Sequence, residues 1–568
     1  MQRKPLPTAA NLGLCGWLGA ATIQIAMTNK TNATIQIDVT ETLGELRPIW
    51  RFFGYDEPNY TYMQDGQKLL SQLAALSRET VYVRTHNLLT SGDGTPALKW
   101  GSTNAYTEDA DGNPIYNWTI VDRIFEAYLE RGMKPYVQIG FMPEALSTHP
   151  QPYQHEWAPD KKNSISTGWA YPPKDYAKWG ELVYQWAKHC VEKYGRAEVE
   201  SWYWEVWNEP DIFYWRGTPE EYNQLYDFAV DGVRRALPTA RVGGPEVART
   251  NNPEAAQYLR GFLEHCLRGK NYATGETGAP LDFIAFHAKG APKIIDGHVQ
   301  MGLAEQLQEI DRSFGIIASY PQLKHLPIVI GESDPDGCAA CPATVFPQNG
   351  YRNGALFASY TAAAFARKFE LADKHGVNFE GALTWAFEFE DQPYFAGFRV
   401  LASNGIGLPV LNVFRMFGQM RGQRLQVHSS AGLSLDAITA NGVKGAPDIH
   451  ALASADGNSI WVMVWHYHDD ALPAPSASVE LALQGLPAGT TPALLHHYRI
   501  DDAHSNAFEA WNRMGCPPVP TSAQYAELEQ ASQLALLASP EWVQVVDSEV
   551  RLRFDLPRQG VSLLRLDA

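Results

Sequence analysis

WYWEVWNEPD, residues 202–211, opens as a run of rings and aliphatic groups and closes on Asn208-Glu209-Pro210. Pro210 cannot continue a β-ladder, so a strand stops there. Glu209 is left at the carboxyl end of a buried strand, the end at which barrel enzymes carry their chemistry. Neighbouring aromatics and apolar groups would desolvate its carboxyl and raise its pKa, as a general acid requires. Asn208 beside it offers an amide suited to a sugar hydroxyl.

Seven more runs of this texture surround it. They are IWRFFGY (49–55), TVYVRTH (80–86), KPYVQIGF (134–141), ARVGG (240–244), LDFIAFH (281–287), PIVIGE (327–332) and FEGALTWAF (379–387). Each is short, nearly all apolar and closed by polar residues or Gly, as suits parallel strands buried on both faces. Helical patterns separate them, among them DYAKWGELVYQWAKHCVEKYG (175–195) and PEEYNQLYDFAVDGVRRAL (219–237), where Pro219 falls at a position that a helix start tolerates. The alternation predicts an α/β fold, a (β/α)8 TIM barrel. A doubly wound open sheet is the alternative, but no Gly-rich phosphate loop follows the first strand.

After about residue 408 the texture changes to alternating strands such as SIWVMVWHYH (459–468) and VRLRFDL (550–556), which predicts an antiparallel β-sandwich. ATIQIDVTE (33–41) alternates in the same way and is expected to join it. The domains expected are a leader or weak signal segment over 1–29, a catalytic barrel over 44–408, and an accessory sandwich from 30–43 with 409–568.

A second carboxylate, Glu332, closes the seventh run in PIVIGESDP (327–335). Alone, a Glu at a strand end is often a bland surface residue. In a closed barrel it shares one mouth with Glu209. Two carboxyls about 5–5.5 Å apart give retaining glycoside hydrolysis, and wider spacing gives inversion. Other strand ends are also polar: Arg84, His86 and Asn87; His287 and Lys289; Trp385, Glu390 and Asp391. A lone His is more often a satisfied structural group, Trp385 suits a core, and Glu390-Asp391 suits a solvated loop. Their convergence makes His86, Asn208, His287, Lys289, Trp385, Glu390 and Asp391 the expected substrate-binding set.

Composition narrows the partners. With 45% apolar residues in 568, the chain has material for more than one core. A formal charge of −17 lacks the basic footprint of a nucleic-acid or lipid-surface binder. Aromatics at 12% supply ring platforms for sugars, although aromatic-rich cores are common too. Cys338-x-x-Cys341 has no second ligand pair, so ordinary thiols or a local disulfide are expected and no metal or cofactor. Arg3 and Lys4 precede a mildly apolar run to Met27, compatible with export to the periplasm or medium. No stretch approaches a membrane helix.

The stretches VRTHNLL, GFMPEAL, YPPKDYAKW, EVWNEPD, RVGGPE, LDFIAFHAKG and NAFEAWNRMGCPPVP resemble glycoside hydrolase family 39, which contains β-xylosidases and α-L-iduronidases. The resemblance covers nearly the whole chain from about residue 45, including the last stretch, which is not catalytic. It implies a barrel with a β-sandwich, Glu209 as general acid/base and Glu332 as nucleophile. It also implies sugar contacts from His86, Asn208, His287 and Asp391. One departure bears on the substrate. The xylosidases usually carry H-x-Y where this chain has His287-Ala288-Lys289, and the iduronidases carry H-x-K. GYDEPNYTY (54–62), in contrast, looks like the bacterial β-xylosidases.

The expectation is a retaining exo-glycosidase that hydrolyses β-D-xylosides of xylo-oligosaccharides from the non-reducing end. The alternatives are α-L-iduronidase-like or α-L-arabinosidase activity on the same scaffold, and, from another class, a non-catalytic carbohydrate-binding barrel. A metal-dependent hydrolase on the same barrel would want clustered His and Asp ligands at several strand ends, such as an H-x-H, and none of the eight barrel runs ends in one. The sequence implies no particular oligomeric state.

Overall fold

A computed structural model describes residues 30–161, 165–486 and 492–567. The leader expected over 1–29 lies outside them. Eight parallel strands close into a barrel. They are β1 (Phe52–Tyr55), β2 (Tyr82–Thr85), β3 (Lys134–Ile139), β4 (Tyr203–Val206), β5 (Arg241–Val247), β6 (Phe283–Lys289), β7 (Ile328–Asp334) and β8 (Phe379–Trp385). β8 pairs with β1 to complete the ring.

Each strand is followed by a helix: α1 (Gln64–Ala74), α2 (Thr119–Leu129), α3 (Tyr176–Tyr194), α4 (Pro219–Ala236), α5 (Pro253–Arg268), α6 (Leu303–Ala318), α7 (Ala355–His375) and α8 (Pro409–Phe417). Local chemistry fixes several starts. Thr218 and Glu221 form a capping box on α4 with Pro219 in its first turn, and the Asp175 carboxylate accepts the Ala177 and Lys178 N–H groups on α3. The change of texture suggested a boundary at 408, but α8 continues the barrel beyond it, with Trp50 stacked on Phe417 and Phe53 edge-on to Phe414. Eight of the nine α8 residues are buried, so the helix shows little polar periodicity in sequence.

The amino-terminal end of the barrel interior is plugged by rings from Phe52, Tyr82, Tyr136, Tyr203 and Phe283, with neighbouring centroids 5.0–5.2 Å apart along the series Phe52–Tyr82–Tyr203–Phe283. Small residues on the neighbouring strands make the room. A Cβ on Gly381 would lie 2.2 Å from the Phe52 ring, and one on Gly243 would lie 2.8 Å from the Phe283 ring.

The sandwich has two sheets. One orders His428–Ser429, Asn32–Asp38, Ala477–Gln484 and Val550–Leu556, and the other is built around Asp448–Asp456, Ser459–Tyr467, Val561–Asp567 and Ala493–Ile500. The early segment Asn32–Asp38 does enter it, paired parallel to Ala477–Gln484, and Thr42–Glu45 pairs with Gln423–Leu425 in the other sheet. Ile35, Ile37, Val479, Leu481, Val462, Val464 and Leu564 fill the space between the sheets. Sandwich and barrel meet at a buried ion pair, Arg367 of α7 with Asp448 at 3.1 Å, where Asp448 also accepts from the Trp465 indole. Cys338 and Cys341 form a disulfide in the loop after β7. No helix among the described residues is long and apolar enough to cross a membrane.

Candidate active site

Strand alternation carries the interior from rings to charge. Two residues beyond Tyr82 comes Arg84, and two beyond that His86; two beyond Tyr203 comes Glu205; four beyond Phe283 comes His287, then Lys289. Arg84 is fully buried at the centre of this layer. Its guanidinium donates to Glu205 at 2.6–3.0 Å, to the Asn208 side-chain oxygen at 3.0 Å and to Glu332 at 3.4 Å. A buried guanidinium needs such partners, and the planar fork supplies several at once.

Glu209 and Glu332 come together from opposite sides of the mouth. Glu209 follows β4 in a left-handed conformation (φ 43°), two residues after Trp207 at φ 70°, so the chain turns sharply where the carboxyl is presented. Glu332 lies in β7. One ligand oxygen from each carboxylate and a ring nitrogen of His287 all lie within 4.8 Å of one another. Lys289 and Arg84 already stand on Glu332, two cations where a metal ion would have to sit, so the set fits an acid–base pair better than an ion cage.

Their surroundings separate the two carboxyls. Burial, and then the charge of Glu332, push the Glu209 pKa up to about 7. Burial also works against ionised Glu332, but Lys289 foremost, with His287, His86 and Arg84, outweighs it and holds that carboxyl below the usual carboxylate range. Lys289 donates to Glu332 at 2.7 Å and to Asp334 at 2.6 Å. One group is thus poised as a proton donor and the other as an anion.

The remaining expected residues divide. His287 reaches Glu209 through Nδ1 at 2.9 Å, and burial holds it neutral, with its pKa down to about 3. His86 is clamped by Asp56 on Nδ1 at 2.7 Å and meets Arg84 through Nε2 at 3.2 Å. Its ring lies 4.2 Å from that of Trp385, which forms the layer beneath, with the Arg84 guanidinium 5.0 Å from the indole. Asn208 keeps its amide Nδ2 buried and unpartnered, a donor left for a ligand. Glu390 does not join the cluster. Its carboxylate accepts the Asp65 backbone N–H in the first turn of α1, a place where a helix favours an anion. Asp391 is exposed in the same loop at φ 60°, and its charge acts on Tyr60 and Asp65.

Sequence reading missed Glu205, Glu246, Asp334, Asp56 and Lys99. Glu205 had a signal: it is a charge inside WYWEVW, and a buried charge implies a partner. Asp56 and Lys99 pair at 2.7 Å across 43 residues, with no pattern to announce it.

The comparisons with known proteins agree with this architecture. Residues 33–542 match the model of glycosyl hydrolases family 39. The chain is 25% identical to a beta-xylosidase of Geobacillus stearothermophilus over 501 residues, 86% of each protein. It is 26% identical to the alpha-L-iduronidase of Mus musculus over 523 residues, 87% of this chain and 75% of that one. The solved structure of a monomeric beta-xylosidase from Caulobacter crescentus CB15 superposes with a TM-score of 0.71 at 20% identity, over 94% of this chain and 99% of that one. With a closed barrel, a sandwich partner and a family match over most of its length, the chain belongs to glycosyl hydrolases family 39.

Proposed function

We propose that the protein is a retaining exo-glycosidase that releases D-xylose from the non-reducing ends of β-xylosides. The observation that carries the mechanism is the approach of the Glu209 and Glu332 oxygens within 4.8 Å. An inverting enzyme needs roughly 6.5–9.5 Å to admit a water between its carboxyls. In the first step the Glu332 carboxylate bonds to the anomeric carbon, while Glu209 gives its proton to the departing glycosidic oxygen. In the second, Glu209 takes a proton from water, whose oxygen displaces Glu332 from the sugar. Esterification removes the Glu332 charge that had raised the Glu209 pKa, so the same group becomes the acid and then the ionised base.

The preference for a neutral pentoside rests on Lys289. Its ammonium is buried and shared between Glu332 and Asp334, so a substrate carboxylate would have to compete with two anions already in place. The second reading, an α-L-iduronide, is favoured by the H-x-K pattern and by relatives named alpha-L-iduronidase at equal identity. Exo action is supported by how little of the pair is open, 14% of the Glu209 side chain and 8% of the Glu332 side chain. A periplasmic or secreted location is also part of the proposal, supported by the Cys338–Cys341 disulfide. Cell fractionation with thiol labelling tests it.

A panel of nitrophenyl glycosides decides the substrate. The β-D-xyloside should be turned over fastest, and an early NMR time course should show β-xylose as the first product. An α-anomer appearing first would reject double displacement, and a dominant α-L-iduronide rate would move the substrate assignment to uronides.

A further inference from the structure

Glu246, at the end of β5, touches Glu209 by two routes. Its backbone carbonyl accepts the Glu209 N–H at 3.0 Å. Its carboxyl Oε2 stands 3.1 Å from His287 Nε2, and Nδ1 of the same ring holds Glu209 at 2.9 Å. Both atoms are buried and neither is satisfied by a hydrogen bond, so each is left facing the other at 3.1 Å. The position is built with care. Residue 246 adopts φ 57° to deliver the side chain, and Tyr136 donates to Oε1 at 3.3 Å. Gly331, next to the nucleophile, leaves the space: a Cβ there would lie 2.0 Å from Glu246 Oε2.

The groups facing this carboxyl are Tyr136 from β3, Glu205 from β4, Arg84 from β2, His287 from β6, Tyr222 from α4 and, past Gly331, Glu332 from β7. Arg84 is engaged with Glu205 rather than with Glu246, and among the described residues His287 is the only basic group at salt-bridge distance from it. A buried carboxyl without a cation holds its proton. Burial and the adjacent Glu205 indeed push this one well above the ordinary carboxylate range.

We propose that Glu246 is a positioning residue for acid–base catalysis: its neutral carboxyl donates to Nε2 of His287 and so keeps the imidazole proton on Nδ1, directed at Glu209. Glu205 competes for that proton through a side-chain hydrogen bond, but its oxygens already accept three hydrogen bonds from Arg84. With Nδ1–H donating to Oε1, the Glu209 proton is kept on Oε2, free to meet the leaving group. Once Glu209 is ionised, the same N–H steadies the carboxylate that must activate water. The opposite tautomer would turn a lone pair towards Glu209 and draw its proton away from the substrate. This inference rests on Glu209 being the acid/base.

The experiment compares wild type, Glu209→Ala, Glu246→Leu and Glu246→Gln on aryl xylosides of graded leaving-group ability, with thermal melts to establish folding. Leu fills the space but gives Nε2 nothing, so kcat should fall about 10- to 100-fold on poor leaving groups and little on activated ones. The basic limb of the pH profile should move up, because the Glu209 carboxylate loses its donor, and the acidic limb should stay. Gln can donate to Nε2 and should restore most of the loss. In wild-type enzyme, 15N-labelled histidine should report His287 as the Nδ1–H tautomer. An Nε2–H tautomer, a folded Glu246→Leu with wild-type leaving-group dependence, or a Gln variant as impaired as Leu would each overturn the proposal. If Glu246→Leu does not fold, Tyr136→Phe frees Oε1 alone and should move the basic limb in the same direction by less; an unmoved limb is then the refuting result. If Glu209→Ala itself shows no leaving-group dependence, the acid/base reading fails instead.

Discussion

At its amino-terminal end the barrel interior is filled by the rings of Phe52, Tyr82, Tyr136, Tyr203 and Phe283, whereas towards the carboxyl ends of the strands it is filled by Arg84, Glu205, His86, His287 and Lys289. Both layers are almost fully buried. They differ in what burial does. In the ring layer, removing apolar surface from water stabilises the fold, and interlocking edges and faces fix it. In the charged layer, desolvation opposes every ionised group, and pairing offsets that cost without guaranteed surplus. The charged layer gains a divided pair of pKa values on Glu209 and Glu332. The rings hold the strands that aim the charges. Substitutions in the lower layer should therefore be read in stability, and those in the upper layer in rate and pH dependence.

The largest break in that contrast is Glu332→Ala. It removes the proposed attacking group and should lower turnover of an activated xyloside by roughly 10^4-fold or more. The variant also loses a carboxylate that the fold favours in its ionised form, so the melting temperature should fall, and the rates are compared below it. Azide should restore part of the rate and give the glycosyl azide with inverted configuration. Near-normal turnover would remove Glu332 from the nucleophile role.

Phe283→Ala is the counterpart in the ring layer. It opens a cavity between Tyr136, Tyr203 and the Gly243 position, and should cost about 3–5 kcal/mol of stability. Below its lowered melting temperature the surviving folded enzyme should keep the wild-type pH profile. A shifted profile in a stable Phe283→Ala protein would show that the two layers are not separable.

The legibility of the two layers in sequence follows from the same physics. All eight strands announce themselves as apolar runs, because a parallel strand buried on both faces has no polar side to blur it. The two catalytic candidates are visible because Asn208-Glu209-Pro210 and Gly331-Glu332 interrupt such runs at one end. The second rank of charges is harder to see. Glu246 follows Gly244-Pro245, which reads as a turn, and its partner His287 lies 41 positions on, brought near only by barrel closure. Glu390 shows the opposite failure. Its place after β8 made it look like part of the mouth, but the carboxylate turns back to the first turn of α1, whose own N-cap, Met63, makes no side-chain cap hydrogen bond. Strand order predicts which ends converge and leaves open where a loop side chain points.

The smallest predicted effect is the most discriminating, and it concerns Lys289. Its ammonium lies 2.7 Å from Glu332 and 2.6 Å from Asp334, and Asp334 in turn accepts the Trp385 backbone N–H at 2.9 Å. Lys289→Ala leaves Glu332 with Arg84 at 3.4 Å and the two histidines. Glu332 must be ionised to act as the proposed nucleophile, and losing its principal cation raises its pKa, so the acidic limb moves to higher pH. The same ammonium also lowers the Glu209 pKa, so its removal raises that one too. The acid must be protonated, so the basic limb moves up as well. Both limbs therefore move in one direction, and each pH unit of movement represents about 1.4 kcal/mol. Glu246→Leu, in contrast, moves the basic limb alone. Measured on paired xyloside and iduronide substrates, Lys289→Ala should lower kcat/KM for both by a similar factor, on the order of tenfold at the old optimum. A loss confined to the iduronide, with both limbs unmoved on the xyloside, would mean that the ammonium serves a substrate carboxylate and not the nucleophile.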